Sequence, residues 1–352
     1  MQPMDPRGRK RREENVKKIM AVYDAEPLYA ERLSDYVNRK DKGLFKARAF
    51  TSRERLETFA RENHVDVLLT GENIKEVSMI RSRQTIYLSE ERPAERQEGQ
   101  EHKIYKYQSG DDILREVMDC YGEMPEAELV FRSGGKAKRI LGVYSPTGRC
   151  GKTSLALSIG QLLAREEKVL FVCLDEFTGF SRLMNERWKR DLSDLIYYYK
   201  QGRFNAARLN SIIYYMGDMA WLPPVRFPDD YNQISAEEMA GLMQQILKES
   251  DYATLILDIG NYGRQVLPLL EICHEVYMPV KEDMFSQAKQ QEFDDYMAGC
   301  GRQALKERLH EVHVPPPVGR KKTELFPQEL MWGDMGDFVR NVLKGQNSQW
   351  DS

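Results

Sequence analysis

Residues 139–163, RILGVYSPTGRCGKTSLALSIGQLL, constrain this chain more than any other stretch. An apolar run leads into the loop SPTGRCGKTS at 145–154, and an apolar helical run follows. A loop placed between strand and helix aims backbone N–H groups at an anion, and the helix N-terminus adds a favourable dipole. Glycine lets the backbone approach a phosphate closely. Lys152 would then reach the β- and γ-phosphates, and the Thr153 hydroxyl would sit on Mg²⁺. The usual G-x-x-x-x-G-K-[ST] spacing is broken, because Pro146 stands at its first glycine. The plain alternative is an ordinary strand-to-helix turn.

Two acids fit around this loop. Asp258 closes the apolar run ATLILD, where a P-loop protein places the acid that holds Mg²⁺. Asp175 closes VLFVCLD, the next strand after the loop's helix. Acids at strand ends are common loop residues singly; their joint placement after two buried strands favours a nucleotide·Mg²⁺ site.

The rest of the chain alternates strands with helices, which indicates parallel α/β sheets. At 352 residues the length fits two domains. The expected division is a polar arm at 1–15, a first domain at 16–125, a linker at 126–136, a second domain at 137–345 and a tail at 346–352. In the first, KKIMAVY, LFKARAF, VDVLLTG, TIYLSEE and KIYKYQS read as strands. The intervening PLYAERLSDYVNRK and SRERLETFARENH, with the closing DDILREVMDCYGE, read as helices. EAELVF is a candidate opening strand near the boundary. In the second, ISAEEMAGLMQQILKES has Ser235 and Glu238 at capping-box spacing. WLPPVRFPDDY is expected to be loop because of its prolines, and MGDFVRNVLKG a short final helix.

Composition excludes other classes. Hydrophobic residues make up 41% and charged residues 30%, enough for real cores. No run approaches the ~18 apolar residues of a spanning helix. The charged N-terminus lacks a signal-peptide pattern, and five scattered cysteines without a CxxC pair fit reduced thiols, so a cytoplasmic setting is expected. Lys+Arg against Asp+Glu is 26 to 26 over residues 1–136 and 26 to 29 over 137–352, without the basic excess of a dedicated nucleic-acid binder.

On these motifs residues 137–345 resemble the MinD/ParA class of P-loop ATPases. Members carry K-G-G-x-G-K-T; the aligned run here is Thr147-Gly148-Arg149-Cys150-Gly151-Lys152-Thr153, with Ser154 next. Asp175 matches the second acid of the D-x-D switch motif, whose first acid is replaced by Cys173, and Asp258 matches the second switch. Within the class, DLSDLIYYYKQGR, MAWLPPVRFPDDYNQISAEEMAGLMQQI, SDYATLILDIG and VYMPVKEDMFSQAKQQEF are similar in order and spacing to TadZ/CpaE proteins of Tad (Flp-type) pilus and secretion systems. That resemblance implies an ATP- and Mg²⁺-dependent homodimer switch that positions such a machine, focused at one cell site through partner proteins. Residues 147–154 would hold nucleotide, Thr153, Asp175 and Asp258 the metal, and Asp175 would orient the attacking water while Lys152 holds phosphate. The class lysine that reaches the partner's nucleotide is here Thr147. A positive charge supplied in trans can be worth about 10³–10⁵ in rate, so ATP hydrolysis is expected to be slow or absent. Arg149 is a candidate substitute, against the alternative of a solvent-facing arginine.

The first domain is similar to response-regulator receivers, so the whole fold is expected to be a flavodoxin-like pseudo-receiver followed by a P-loop NTPase, both doubly wound. YDAEPL resembles the receiver start D-D-E-P-L, with Ala25 replacing one acid. The phosphoacceptor position falls on Thr70 or Gly71. Ser89 and Lys106 occupy the places of the receiver hydroxyl and lysine. Phosphoryl transfer needs clustered acids and a carboxylate nucleophile, so a domain acting through protein contacts is expected, with Asp24 and Glu26 as solvated turn acids.

Other features read blandly. Tyr197 to Tyr199 and Tyr214-Tyr215 are expected to pack on helices. His310 and His313 are not expected to hold metal. The basic arm Arg7 to Arg12 reads as a solubilising tail, and the terminal helix with Phe338, Val339, Val342 and Leu343 as docked on its own domain; membrane contact is expected through partners alone. The rivals are a non-hydrolysing nucleotide-bound scaffold, a ParA-like DNA-partitioning ATPase, a polysaccharide-type tyrosine kinase, disfavoured by the lack of tyrosine in 316–352, and a receiver-type transcription activator, disfavoured by the lack of a terminal helix-turn-helix.

Overall fold

The computed structural model describes residues 17–40, 44–71, 80–93, 101–124, 137–260, 266–316 and 328–350, the side chains of 328–329 and 345–350 excepted. The chain divides into two compact units, residues 1–128 and 129–352. The expected arm at 1–15, the linker at 126–136 and the strand EAELVF lie outside the described residues.

Unit 1 follows the alternation of its sequence. It runs β1 (Lys18–Tyr23), α1 (Pro27–Arg39), β2 (Phe45–Phe50), α2 (Arg53–Glu62), β3 (Val65–Gly71), β4 (Ser82–Ser89), β5 (Lys103–Tyr105) and α3 (Gly110–Gly122). Every described pairing is parallel and the order is β2-β1-β3-β4-β5, the flavodoxin-like order. Alternation along β1 splits its side chains between two faces: Ile19, Ala21 and Tyr23 join Leu56 and Phe59 of α2, while α1 packs with α3. Pro27 opens α1, where its missing N–H costs nothing. Ser109 caps α3 through the Asp112 amide.

Unit 2 contains β6 (Arg139–Val143), α4 (Lys152–Leu163), β7 (Val169–Cys173), α5 (Phe180–Leu183), α6 (Leu192–Lys200), α7 (Ala206–Ile212), β8 (Tyr214–Met216), β9 (Met219–Leu222), α8 (Ala236–Glu249), β10 (Thr254–Asp258), α9 (Val266–Glu271), β11 (Glu275–Pro279), α10 (Met284–Gly299), β12 (Leu309–Val312) and α11 (Asp334–Trp350). The sheet order is β12-β11-β6-β10-β7-β9-β8, parallel except for the β8–β9 hairpin. Both faces are covered. Residues such as Ile140, Leu170 and Val172 pack with α6 to α10, and Leu141, Val143 and Phe171 pack with α4 and α11. That double burial explains the near-continuous apolar strands. Among the described residues, no helix is long and apolar enough to cross a membrane.

Several local expectations need correction. Trp221 and Leu222 end strand β9, and Pro228–Gln233 form a 3₁₀ helix with Pro228 at its start, so WLPPVRFPDDY is loop only in its middle. Tyr214 and Tyr215 lie on an edge strand, not a helix; Gly217, at φ +61°, makes the two-residue turn of that hairpin. The final helix runs on to Trp350, through most of the expected tail. The Ser235–Glu238 capping box forms as expected, at 2.9 and 3.2 Å. Phe338, Val342, Leu343 and the fully buried Val339 dock on the core beside α4.

Candidate phosphate and metal site

The connection leaving β6 travels to the β7 side, and the one leaving β10 travels to the β11 side. Such a reversal opens a crevice at the carboxyl edge of the strands, where α/β sheets bind ligands. Residues 144–151 leave β6 there and lead into α4. Gly151 is the N-cap of α4, left-handed at φ +89°, with no side-chain cap on the helix's first amides. A Cβ at this position would also lie 2.8 Å from Val314 Cγ1, so both the turn and a close neighbour require glycine. Arg149 is left-handed too, at φ +56°, and exposed. Gly148 is exposed, while Cys150 and Thr147 are buried. The loop is tied internally: the Thr147 amide donates to Ser145 Oγ at 3.1 Å, and the Cys150 thiol donates to the Thr147 carbonyl at 3.1 Å.

Lys152, Thr153 and Ser154 form the first turn of α4 and are half-buried. The Lys152 ammonium donates a long bond, 3.4 Å, to the Ile259 carbonyl and lies 5.9 Å from the Tyr144 ring centre. The Thr153 hydroxyl hydrogen-bonds to Asp258.

Asp258 is 1% exposed. Burial raises its pKa, and the nearby Asp175 charge adds to this; bonds from Thr153 and Cys173 and the Lys152 charge oppose it. Cys173 donates to Asp258 Oδ2 at 3.2 Å. Its own pKa is pushed well up, first by burial and then by the Asp258 charge, which keeps it a thiol and a donor. Asp175 lies two residues beyond the end of β7, half-buried. A Cβ at Gly260 would sit 2.6 Å from Asp175 Cα, so the backbone leaving β10 runs against that acid. The segment following Asp175 is pinned by Phe180 and Trp188, both packed edge-on against Trp221, while Phe177 is 82% exposed.

The donor set fits a phosphate chain with Mg²⁺. The crevice holds uncapped helix amides, an ammonium bonded to a carbonyl, and a hydroxyl beside a buried carboxylate. The structure brings Lys152, Thr153, Asp258 and Asp175 together, and places Thr147 with its side chain buried in the loop. Sequence reading missed Gly260, Ser145 and Val314. The glycine two residues after Asp258 was the available signal for the first; nothing in the sequence points to Val314, which arrives from beyond β12.

In unit 1, Asp24 and Lys106 are buried, and the Lys106 ammonium bonds to Asp24 and Glu26. This corrects the expectation of solvated turn acids: Asp24 is an enclosed ion-pair partner, while Glu26 keeps an exposed side chain. Gly71 is the residue at the end of β3 that faces Asp24, and Thr70 is fully buried.

No family model matches the chain, and no curated protein matches it. Among solved structures, a ParA family ATPase from Chlorobium tepidum is similar at TM-score 0.45 and 17% identity, over 57% of this chain and 81% of that one. A cobyrinic acid a,c-diamide synthase from Mycobacterium smegmatis, with bound ATP analogue and magnesium, is similar at TM-score 0.44 and 15% identity, over 61% and 97%. A plasmid partition protein from Borrelia burgdorferi is similar at TM-score 0.45 and 16% identity, over 61% and 100%. With likeness this low, the α/β fold described above rests on the chain's own strand order, and its phosphate loop on its own geometry.

Proposed function

We propose that unit 2 binds ATP with Mg²⁺ and acts as a nucleotide-dependent homodimer switch of the MinD/ParA type. The observation that carries this is the convergence of Lys152, Thr153, Asp258 and Asp175 at the N-terminus of α4. In this reading, the amides of residues 148–154 and the Lys152 ammonium hold the phosphates. Thr153 and Asp258 hold Mg²⁺, with Asp175 beside them. The ion would neutralise phosphate charge. Asp175 orients water for a slow hydrolysis. The switch then positions or assembles a Tad-type pilus or secretion machine; that step rests on the order of motifs shared with TadZ/CpaE proteins. Unit 1 serves it as a pseudo-receiver, a contact module without an acceptor carboxylate.

The buried Thr147 favours a second reading, a non-hydrolysing nucleotide-bound scaffold, because no lysine is offered from that position to a partner's phosphates. The even charge balance weighs against DNA partitioning.

Light scattering of the full chain without nucleotide, with ADP·Mg²⁺ and with ATP·Mg²⁺ tests the switch. A dimer formed in ATP alone and lost in Lys152→Ala supports it. One mass in every condition removes the switch. ATP bound in that unchanging species, without turnover, would establish the scaffold.

A further inference from the structure

Few contacts hold Lys152, the residue on which the phosphate site depends. Among the described residues its ammonium makes one hydrogen bond, the long one of 3.4 Å to the Ile259 carbonyl, and no carboxylate lies within ion-pair distance of it. Its other neighbour is the Tyr144 ring, with the ammonium over it at 5.9 Å from the ring centre. Tyr144 follows β6 directly and is 8% exposed. Its amide donates to the Tyr277 carbonyl of β11 at 3.1 Å, which fixes the backbone beneath the ring. The buried Phe293 ring of α10 lies 5.2 Å from the Tyr144 ring, tilted by 51°. Burial, with the Tyr296 charge adding to it, pushes the Tyr144 phenol up to about 12, so the ring stays neutral.

We propose that Tyr144 is a positioning residue of the phosphate site, a fixed ring face that keeps the Lys152 ammonium in the crevice without neutralising it. This inference rests on the nucleotide reading of unit 2. An aromatic face attracts an ammonium within about 6 Å of its centre. The ring carries no net charge, so the lysine keeps its full charge for a phosphate, which a paired carboxylate would not allow. A lysine side chain has much rotamer freedom to lose when its ammonium is fixed. A ring that already confines it removes part of that cost from binding. Without the ring the ammonium is left to Asp258, on which its charge already acts. Pairing there would occupy the acid needed for Mg²⁺. Phe293 braces the ring from α10, an element that no phosphate-loop pattern includes.

The test uses the full chain labelled with ¹³C at the lysine Cε, first without nucleotide. Nuclear magnetic resonance is recorded for wild type, Tyr144→Phe and Tyr144→Leu, with Lys152→Ala to assign the Lys152 signal. The expected wild-type signal lies upfield of the other lysines, through the ring current, and shows a nuclear Overhauser contact to tyrosine ring protons. Tyr144→Phe should keep the upfield position and Tyr144→Leu should lose it. Titration calorimetry with ATP·Mg²⁺ follows on the same proteins. Tyr144→Phe should bind like wild type and Tyr144→Leu about three- to tenfold more weakly. A Lys152 signal among the bulk lysines in wild type, or one unmoved in folded Tyr144→Leu, overturns the proposal, as does equal ATP affinity in that variant. Should Tyr144→Leu not fold, the wild-type Overhauser contact decides: its presence supports the ring as the seat of the ammonium and its absence overturns it. Absence of ATP binding in wild type removes the nucleotide reading itself, and the positioning role with it, even where the upfield signal stands.

Discussion

Cys173 donates its thiol hydrogen to Asp258 across 3.2 Å, from the residue directly paired with it between β7 and β10. The class pattern has an acid at this position, which would set two buried carboxylates side by side. The thiol instead gives Asp258 a donor besides Thr153. A hydrogen bond to a charged group is worth about 1.5–3 kcal/mol. Cys173→Ser, which keeps the donor, is expected to bind ATP·Mg²⁺ like wild type, and Cys173→Ala about tenfold more weakly, the equivalent of roughly 1.4 kcal/mol. Titration calorimetry with Mg²⁺ and with chelator separates the two effects: the loss should appear in the Mg²⁺ series alone.

Asp258→Asn should stabilise the nucleotide-free chain and impair its use of Mg²⁺. The folded carboxyl holds its proton to higher pH than an unfolded aspartate, whose pKa is about 3.9. Across that interval the native state binds more protons, so stability falls as pH rises through it. Thermal unfolding of wild type from acidic to neutral pH should show this decline, and Asp258→Asn should flatten it. A steeper decline in the variant would refute the assignment.

Gly260→Ala should damage the site from a distance. The added methyl would sit 2.6 Å from Asp175 Cα, a backbone atom that can move only with the chain segment leaving β7. Overpacking of this kind costs about 1–3 kcal/mol. The expected outcome is a destabilised chain with lower ATP·Mg²⁺ affinity, measured by unfolding and calorimetry. Unchanged affinity would show that Asp175 tolerates displacement.

Arg149 holds a left-handed backbone in the phosphate loop. Single residues other than glycine pay about 1–2 kcal/mol there. Arg149→Gly should therefore raise stability by about 1 kcal/mol. The residue is exposed two positions before the N-cap of α4, whose first amides lack a side-chain cap, so the same variant is expected to bind ATP less tightly. A variant that is more stable with unchanged affinity would assign the arginine to solvent.

The alternation of strand and helix, the capping residues and the phosphate loop were legible because each is a local signal: period, cap chemistry and glycine spacing. The β8–β9 hairpin was not, because Tyr214 and Tyr215 resemble the helical tyrosines of α6 and the strands flanking the Gly217-Asp218 turn are only three and four residues long. The enclosure of Asp24 could not be read either, since its partner Lys106 lies 82 residues away and meets it only once β5 has joined the sheet. Val314 beside Gly151 is the same kind of contact, made by tertiary folding alone. Lys152, Thr153 and Asp258 were readable since each sits at a helix start or strand end that the apolar pattern already marks, and Asp175 since it follows such a strand by two residues.

The central claim is that the crevice above β6 binds a nucleotide through Lys152 and Mg²⁺. Titration calorimetry of the full chain with ATP·Mg²⁺, for wild type and Lys152→Ala, tests it most directly. The account predicts one ATP per chain in wild type, weakened by chelation of Mg²⁺ and lost in Lys152→Ala while the variant remains folded. Absence of binding in wild type, or equal binding in the folded variant, would contradict it.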